Sequence, residues 1–104
     1  MAEYTKSEAR DWARERLVGA INCTIPSFTN DLTRLNEAGI RHDIRLAKQH
    51  GFVGTLGVSE VNITLPEYLE FLEIMVDEAR GELVVTHHAS WPTLDENIAA
   101  VRSR

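Results

Sequence analysis

Side chains able to act as nucleophile, acid, base or metal ligand are few in this 104-residue chain, and most fall at the ends of three apolar runs. The first run closes on Cys23, Thr24 and Ile25, the second on Gly57-Val58-Ser59, and the third on His87-His88-Ala89-Ser90. A histidine at a strand end can move a proton or hold an anion. Adjacent strand residues point to opposite faces, so at most one of His87 and His88 serves such a site. The other reads as a histidine satisfied by hydrogen bonds between layers. Gly57 allows close approach of backbone to a ligand, and Ser59 offers a hydroxyl that could instead cap a following helix. The four histidines, His42, His50, His87 and His88, show no His-x-x-x-His spacing, and Cys23 is the lone cysteine. No metal site and no internal disulfide are therefore expected. Cys23 reads as a small buried residue before it reads as a nucleophile. The only lysines are Lys6 and Lys48 and the only tyrosines Tyr4 and Tyr68, all placed away from the strand ends. Asp43, Glu67 and Glu70 read as solvated charges on helix faces.

These groups are positioned by alternating strands and helices. Thr5-Lys6-Ser7-Glu8 has the form of a capping box and predicts a polar helix over 5–16. A strand over 18–25 is closed by Pro26. Asn30-Asp31 predicts the start of a second helix, with Leu35, Ile40, Ile44 and Ala47 at helical spacing and Gly51 as its stop. A strand over 52–57 follows. Pro66 suits a first helical turn, Tyr68, Leu72, Met75 and Ala79 mark one apolar face that reads as core and not as a cofactor box, and Gly81 ends that helix. A third strand over 82–88 precedes Thr93-Leu94-Asp95-Glu96, a second capping box ahead of Ile98 and Val101. Strands spaced by roughly thirty residues with helices between them predict right-handed βαβ units on a parallel sheet. Apolar strands need cover on both faces, and three strands leave two long edges, so the chain reads as cut short at Arg104.

Composition narrows the function classes. The chain carries 43% hydrophobic and 26% charged residues, as a soluble globular domain does. Eleven Lys+Arg against sixteen Asp+Glu give a net charge of -5 with no basic run, which argues against binding nucleic acid or an anionic membrane through a basic face. The segment from Met1 to Arg16 lacks the apolar stretch of a signal peptide, and no run is long enough to span a bilayer. A cytoplasmic location is the expectation.

Taken in order, Pro26-Ser27-Phe28-Thr29-Asn30-Asp31, the helix from Leu35 to Gly51 leading to Gly54, Gly57-Val58-Ser59-Glu60, and Val84-Val85 running into Ser90 and Thr93 resemble the N-terminal part of the dihydrodipicolinate synthase / N-acetylneuraminate lyase family. The resemblance spans nearly the whole chain from Leu17 onward. It implies an α/β fold made of the first three βα units of a (β/α)8 TIM barrel behind a short N-terminal helix, with 1–104 forming one partial domain. A whole barrel takes roughly 250 residues. It further implies a Schiff-base aldolase or lyase joining or splitting an α-keto acid such as pyruvate and an aldehyde, without metal or organic cofactor. The family's imine lysine and proton-relay tyrosine lie on later strands, so no catalytic residue of that pair maps onto this chain.

The resemblance also implies a binding role for particular residues. Aligned without a gap, Ser59 takes the place of the family's second threonine in Gly-Thr-Thr-Gly-Glu, which binds the pyruvate carboxylate with nearby backbone N–H groups. Gly57 and the N–H of Val58 would belong to the same seat, although Val58 lacks the hydroxyl of the first threonine. Matching Glu60 to the family's glutamate instead shifts Ser59 onto the second glycine. Thr24 would stand in for the hydroxyl residue that the family carries before its proline, where this chain has Ile25. His88 is counted with this seat as a binding candidate, while strand parity leaves open which of His87 and His88 faces the interior. Trp91-Pro92 could wall a pocket for a bulky aldehyde.

Two readings from different classes follow. In the first, the chain opens a Schiff-base lyase whose lysine lies outside it, acting on small molecules as a homo-oligomer or completed by the rest of the barrel. In the second it is a non-catalytic α/β binding or assembly module, a truncated barrel that keeps the fold and lacks the lysine. A small open sheet of flavodoxin type is a third architecture, though such sheets usually have about five strands.

Overall fold

A computed structural model describes residues 4–102. Four helices and three strands alternate: α1 (Ala9–Arg16), β1 (Ile21–Thr24), α2 (Glu37–Gln49), β2 (Gly54–Gly57), α3 (Leu65–Ala79), β3 (Val84–His87) and α4 (Leu94–Arg102). The strands form one parallel sheet in the order β1-β2-β3. Asn22 stands beside Thr55 and Thr55 beside Val85, while Thr24 aligns with Gly57 and Gly57 with His87.

Two helix starts differ from expectation, each for a local reason. The first helix begins at Ala9 instead of near residue 5. The Glu8 carboxylate takes both the N–H of Thr5 at 2.9 Å and its hydroxyl at 2.7 Å. That hydroxyl is then a donor, and the Glu8 N–H turns to the Thr5 carbonyl at 3.0 Å, so one tight turn precedes the helix. No residue of α1 is buried. The second helix begins at Glu37 and not at Asn30-Asp31. Asp31 accepts from the hydroxyls of Thr29 at 2.6 Å and Thr33 at 2.8 Å and from the Thr33 N–H, and these bonds hold its carboxyl below the usual carboxylate range. Leu32 takes a positive φ of 61°, and Phe28 bridges Leu35 in antiparallel fashion. Asn36 then caps α2 by accepting from the Gly39 N–H at 3.0 Å.

The strands are shorter than read, opening at Ile21, Gly54 and Val84 instead of at 18, 52 and 82, and Glu67, read as a solvated charge, is part of a helix cap. Thr64 and Glu67 close a full capping box on α3, with Pro66 in the first turn. The helix ends through left-handed Arg80 and Gly81. Thr93 accepts from the Glu96 N–H at 3.2 Å at the start of α4.

The core lies between the sheet and the pair α2 and α3. Ile40, Ile44 and Ala47 from α2 meet Tyr68, Phe71, Leu72, Met75 and Ala79 from α3, all nearly inaccessible. Arg41 ties the two helices at their outer rim, reaching Asp77 at 2.7 Å and Glu78 at 3.2 Å. Hydrogen bonds to these carboxylates hold the guanidinium charged still more firmly than usual. The sheet's two faces differ accordingly. Asn22, Thr24, Thr55, Gly57, Val85 and His87 share the helix-covered face by register, whereas Ile21, Cys23, Leu56 and Thr86 share the opposite one. Ile21 and Cys23 are exposed there, and Cys23 is thus not the buried residue expected of it.

Sequential strand order with helices stacked on one face departs from a doubly wound sheet, in which the order reverses and helices cover both faces. The small α/β architecture is compatible with an arc of a TIM barrel.

Candidate functional site

The residues singled out by type converge at the C-terminal ends of the strands, where open parallel sheets and barrels place ligand sites. Gly57 ends β2 with its absent side chain directed at α3: a Cβ there would meet Met75 Sδ at 3.2 Å and Leu72 Cδ2 at 3.3 Å. Its smallness therefore serves helix packing. The Val58 N–H donates to the Thr24 carbonyl at 3.2 Å. The Ser59 N–H points at His88 Nδ1 at 3.4 Å, and the Ser59 hydroxyl is buried with no partner among the described residues. A buried hydroxyl without a partner is costly, and it marks a group at this end left to bond with something else.

Beneath these loops lies a residue that type and spacing did not single out as part of a site. Tyr68 starts on α3, yet its hydroxyl reaches the strand ends. It donates to the Gly57 carbonyl at 3.1 Å, accepts from the His88 N–H at 3.0 Å, and sits 3.3 Å from His87 Nδ1. Burial pushes its phenol above the usual range, so it stays a protonated donor. The sequence signal was present: Tyr68 follows the Thr64 cap by one turn, which puts its side chain level with the sheet's end. Tyr68 is core, as its stripe implied, and it is also a clamp joining β2 to β3.

The two histidines part company where β3 ends, His87 being its last residue. His87 turns into the helix layer, with Nε2 2.8 Å from the Ala100 carbonyl, a bond that requires the proton on Nε2. His88 lies past the strand end beside Ser59. Glu60 and Ser90 bridge the two loops through a 2.5 Å hydroxyl–carboxylate bond. Trp91 packs its ring edge-on to Tyr68, with centroids 5.5 Å apart, and its indole N–H is buried without a partner. Gly57, Val58, Ser59 and His88 are thus brought together. Thr24 is not: it is 2% exposed on the helix side, and its hydroxyl is 2.6 Å from that of Thr55.

Lys48 is paired with Glu82 at 3.0 Å on the helix layer, and Lys6 lies in the turn ahead of α1. Through Glu82, Lys48 lies at the N-terminal side of β3, opposite to the end that holds the candidate site. Among the described residues no group of three or more His, Cys, Asp or Glu could hold a metal ion, and no helix is long and apolar enough to cross a membrane.

Comparison with known proteins gives one informative match. A 4-hydroxy-tetrahydrodipicolinate synthase of Methanopyrus kandleri is 39% identical over 75 residues, covering 67% of this chain. The chain spans 25% of the length of that relative. No family model matches, and no solved structure matches.

Proposed function

We propose that this chain is the opening segment of a Schiff-base aldolase or lyase of the dihydrodipicolinate synthase type, acting on an α-keto acid and an aldehyde. The observation that carries the reading is the 39% identity to a 4-hydroxy-tetrahydrodipicolinate synthase, taken with the unpartnered Ser59 hydroxyl at the end of β2. In this reading Ser59 holds one oxygen of the keto acid's carboxylate, and His88 swings off the Ser59 N–H so that this N–H holds the other. Gly57 keeps α3 close behind the seat, and Val58 contributes shape, its N–H being spent on Thr24. Thr24 supports the seat from below through its carbonyl.

The chemistry needs a lysine amine that attacks the keto carbonyl, with loss of water, to give an imine that stabilises the adjacent carbanion. Neither Lys6 nor Lys48 maps onto the family's imine lysine, so that lysine comes from later strands, and the complete barrel works as an oligomer on small-molecule substrates in the cytoplasm without metal or organic cofactor. The alternative reading, a non-catalytic α/β binding or assembly module, draws support from the same lysines: an isolated chain with neither of them at the mouth forms no imine.

The test is the intact mass of the protein from its natural source, measured before and after borohydride reduction with pyruvate. A mass near three times 11.7 kDa that gains a reduced pyruvyl adduct supports the lyase reading. A mass of 11.7 kDa without adduct overturns it and leaves the binding module.

A further inference from the structure

Two buried hydrogen-bond donors in the loops at the strand ends have no partner among the described residues, the Ser59 hydroxyl and the indole N–H of Trp91. The proposed function gives Ser59 to the keto acid and leaves Trp91 unused. Of the two, Trp91 is the more firmly held. The Asn97 side chain on α4 accepts from the Trp91 backbone N–H at 2.8 Å and donates to the carbonyls of Trp91 and Thr93, each at 3.0 Å. The indole ring is braced edge-on against Tyr68. A second route closes the same circuit: the Tyr68 hydroxyl lies 3.3 Å from His87 Nδ1, and His87 holds the Ala100 carbonyl of α4 at 2.8 Å. The indole is therefore a preset donor, fixed by contacts within β3, α3 and α4.

The facing loop is held more lightly. Beyond the Val58 anchor, Ser59 and Glu60 rest on two side chains of the β3–α4 loop. One contact is the long 3.4 Å approach of the Ser59 N–H to His88, and the other is the 2.5 Å bond that Glu60 accepts from the Ser90 hydroxyl. Ser90 is the residue next to Trp91. The loop pair thus offers a fixed N–H donor and a carboxylate acceptor that is already engaged with an alcohol. An alcohol needs one of each, since its oxygen accepts and its O–H donates. A carboxylate ligand has no proton to give Glu60 and is repelled by its charge. Neither 58–63 nor 88–93 contains a lysine or arginine that would offset that repulsion.

We propose that Trp91 selects the aldehyde partner of the reaction: its indole N–H donates to a hydroxyl oxygen of the aldehyde, and that hydroxyl donates to Glu60 in place of Ser90. The substrate class is a hydroxyaldehyde and not an alkyl or carboxylate-bearing one. Displacing Ser90 releases the β2–α3 loop from the β3–α4 loop, and this release uncovers the indole. The inference rests on the lyase reading, because the aldehyde has to meet the keto acid held at Ser59.

The test uses the whole protein as its natural source makes it, with pyruvate as keto acid and D-glyceraldehyde, propanal and succinic semialdehyde as aldehydes. Borohydride trapping of pyruvate on the unaltered protein comes first. Given an adduct, glyceraldehyde should show the highest kcat/KM of the three aldehydes. Trp91→Phe keeps a ring against Tyr68 and strips the N–H; it should lower the glyceraldehyde-to-propanal ratio of kcat/KM by about tenfold or more. A second measurement needs no variant to be active. In ¹⁵N-labelled protein locked as the reduced pyruvyl adduct, the Trp91 indole N–H resonance should shift on adding glyceraldehyde, while that of Trp12 on α1 stays in place. If Trp91→Phe does not fold, this resonance decides. An unchanged ratio in Trp91→Phe, an unmoved Trp91 resonance, or a preference of the unaltered protein for propanal or succinic semialdehyde overturns the proposal and leaves the lyase reading standing. Absence of any pyruvyl adduct overturns the lyase reading, and the aldehyde site with it.

Discussion

The two faces of the sheet divide its twelve strand residues six and six, yet they behave as different materials. On the helix-covered face the polar groups Thr24, Thr55 and His87 have partners, and the apolar ones are sealed by α2 and α3. On the opposite face Ile21 and Cys23 meet solvent. The fully buried side chains of α2 and α3 therefore lie on one side of the sheet, and the exposed strand side chains Ile21 and Cys23 on the other. Loss of side-chain volume should matter on the first face and hardly at all on the second.

The largest effect should come from the covered side. Ile44→Ala opens a void between α2 and α3 and should cost about 2–5 kcal/mol, enough to unfold much of so small a domain. Cys23→Ser on the open face should stay within about 0.5 kcal/mol. Urea denaturation of the two variants measures the contrast, and equal losses would mean that the open face is packed in solution.

Next in size is the Tyr68 clamp. Tyr68→Phe keeps the ring and strips the hydroxyl, leaving the His88 N–H and the Gly57 carbonyl without their partner, at a cost of about 1–3 kcal/mol. Amide exchange at His88 should quicken as the ends of β2 and β3 part. Unchanged exchange there would break the link between clamp and strand ends.

A smaller effect tests whether the two threonines act as a pair. Either Thr24→Val or Thr55→Val alone strands one buried hydroxyl and should cost about 1–2 kcal/mol, whereas both together should cost less than the sum. Additive losses in a double-mutant cycle would show that each hydroxyl is satisfied separately.

The smallest effect concerns pH. Hydrogen bonds from the Thr64 backbone N–H and hydroxyl hold the Glu67 carboxyl below its ordinary value of 4.5. The capping box is thus fully stabilising above 4.5 and weakens as pH falls below it. Glu67→Gln should flatten that part of the acid limb in thermal melts, and an unchanged limb would assign it to other carboxylates such as Asp31, which two threonine hydroxyls lower in the same sense.

The parts of the fold that were legible in the residues share a short physical range. Pro66, Gly51 and Gly81 act within one turn of chain, and α2 ends and α3 begins and ends where they place them; the Thr64–Glu67 cap was not read, Glu67 having been taken as a solvated charge. The misread helix starts were also local contests, decided by which acceptor won. The Glu8 N–H takes the Thr5 carbonyl in place of its hydroxyl, and Asp31 closes on Thr33 before a helix can start. In the candidate site, Gly57, Val58, Ser59 and His88 were reachable from strand-end position alone. Tyr68 was not, because its hydroxyl meets β2 and β3 only after α3 has packed, and Thr24 was placed at the mouth when strand parity turns it to the helices.

What the sequence determined by itself is the alternation of strand and helix, the apolar faces of α2 and α3 and the parallel sense of the sheet, all consequences of periods of 2 and 3.6 residues and of caps. Only the tertiary structure decided that the strands run in sequential order with helices on one face, that Tyr68 holds the strand ends, and that the Ser59 hydroxyl is left buried and unpaired. These depend on contacts between segments distant in the chain, where geometry and not local preference selects the partner.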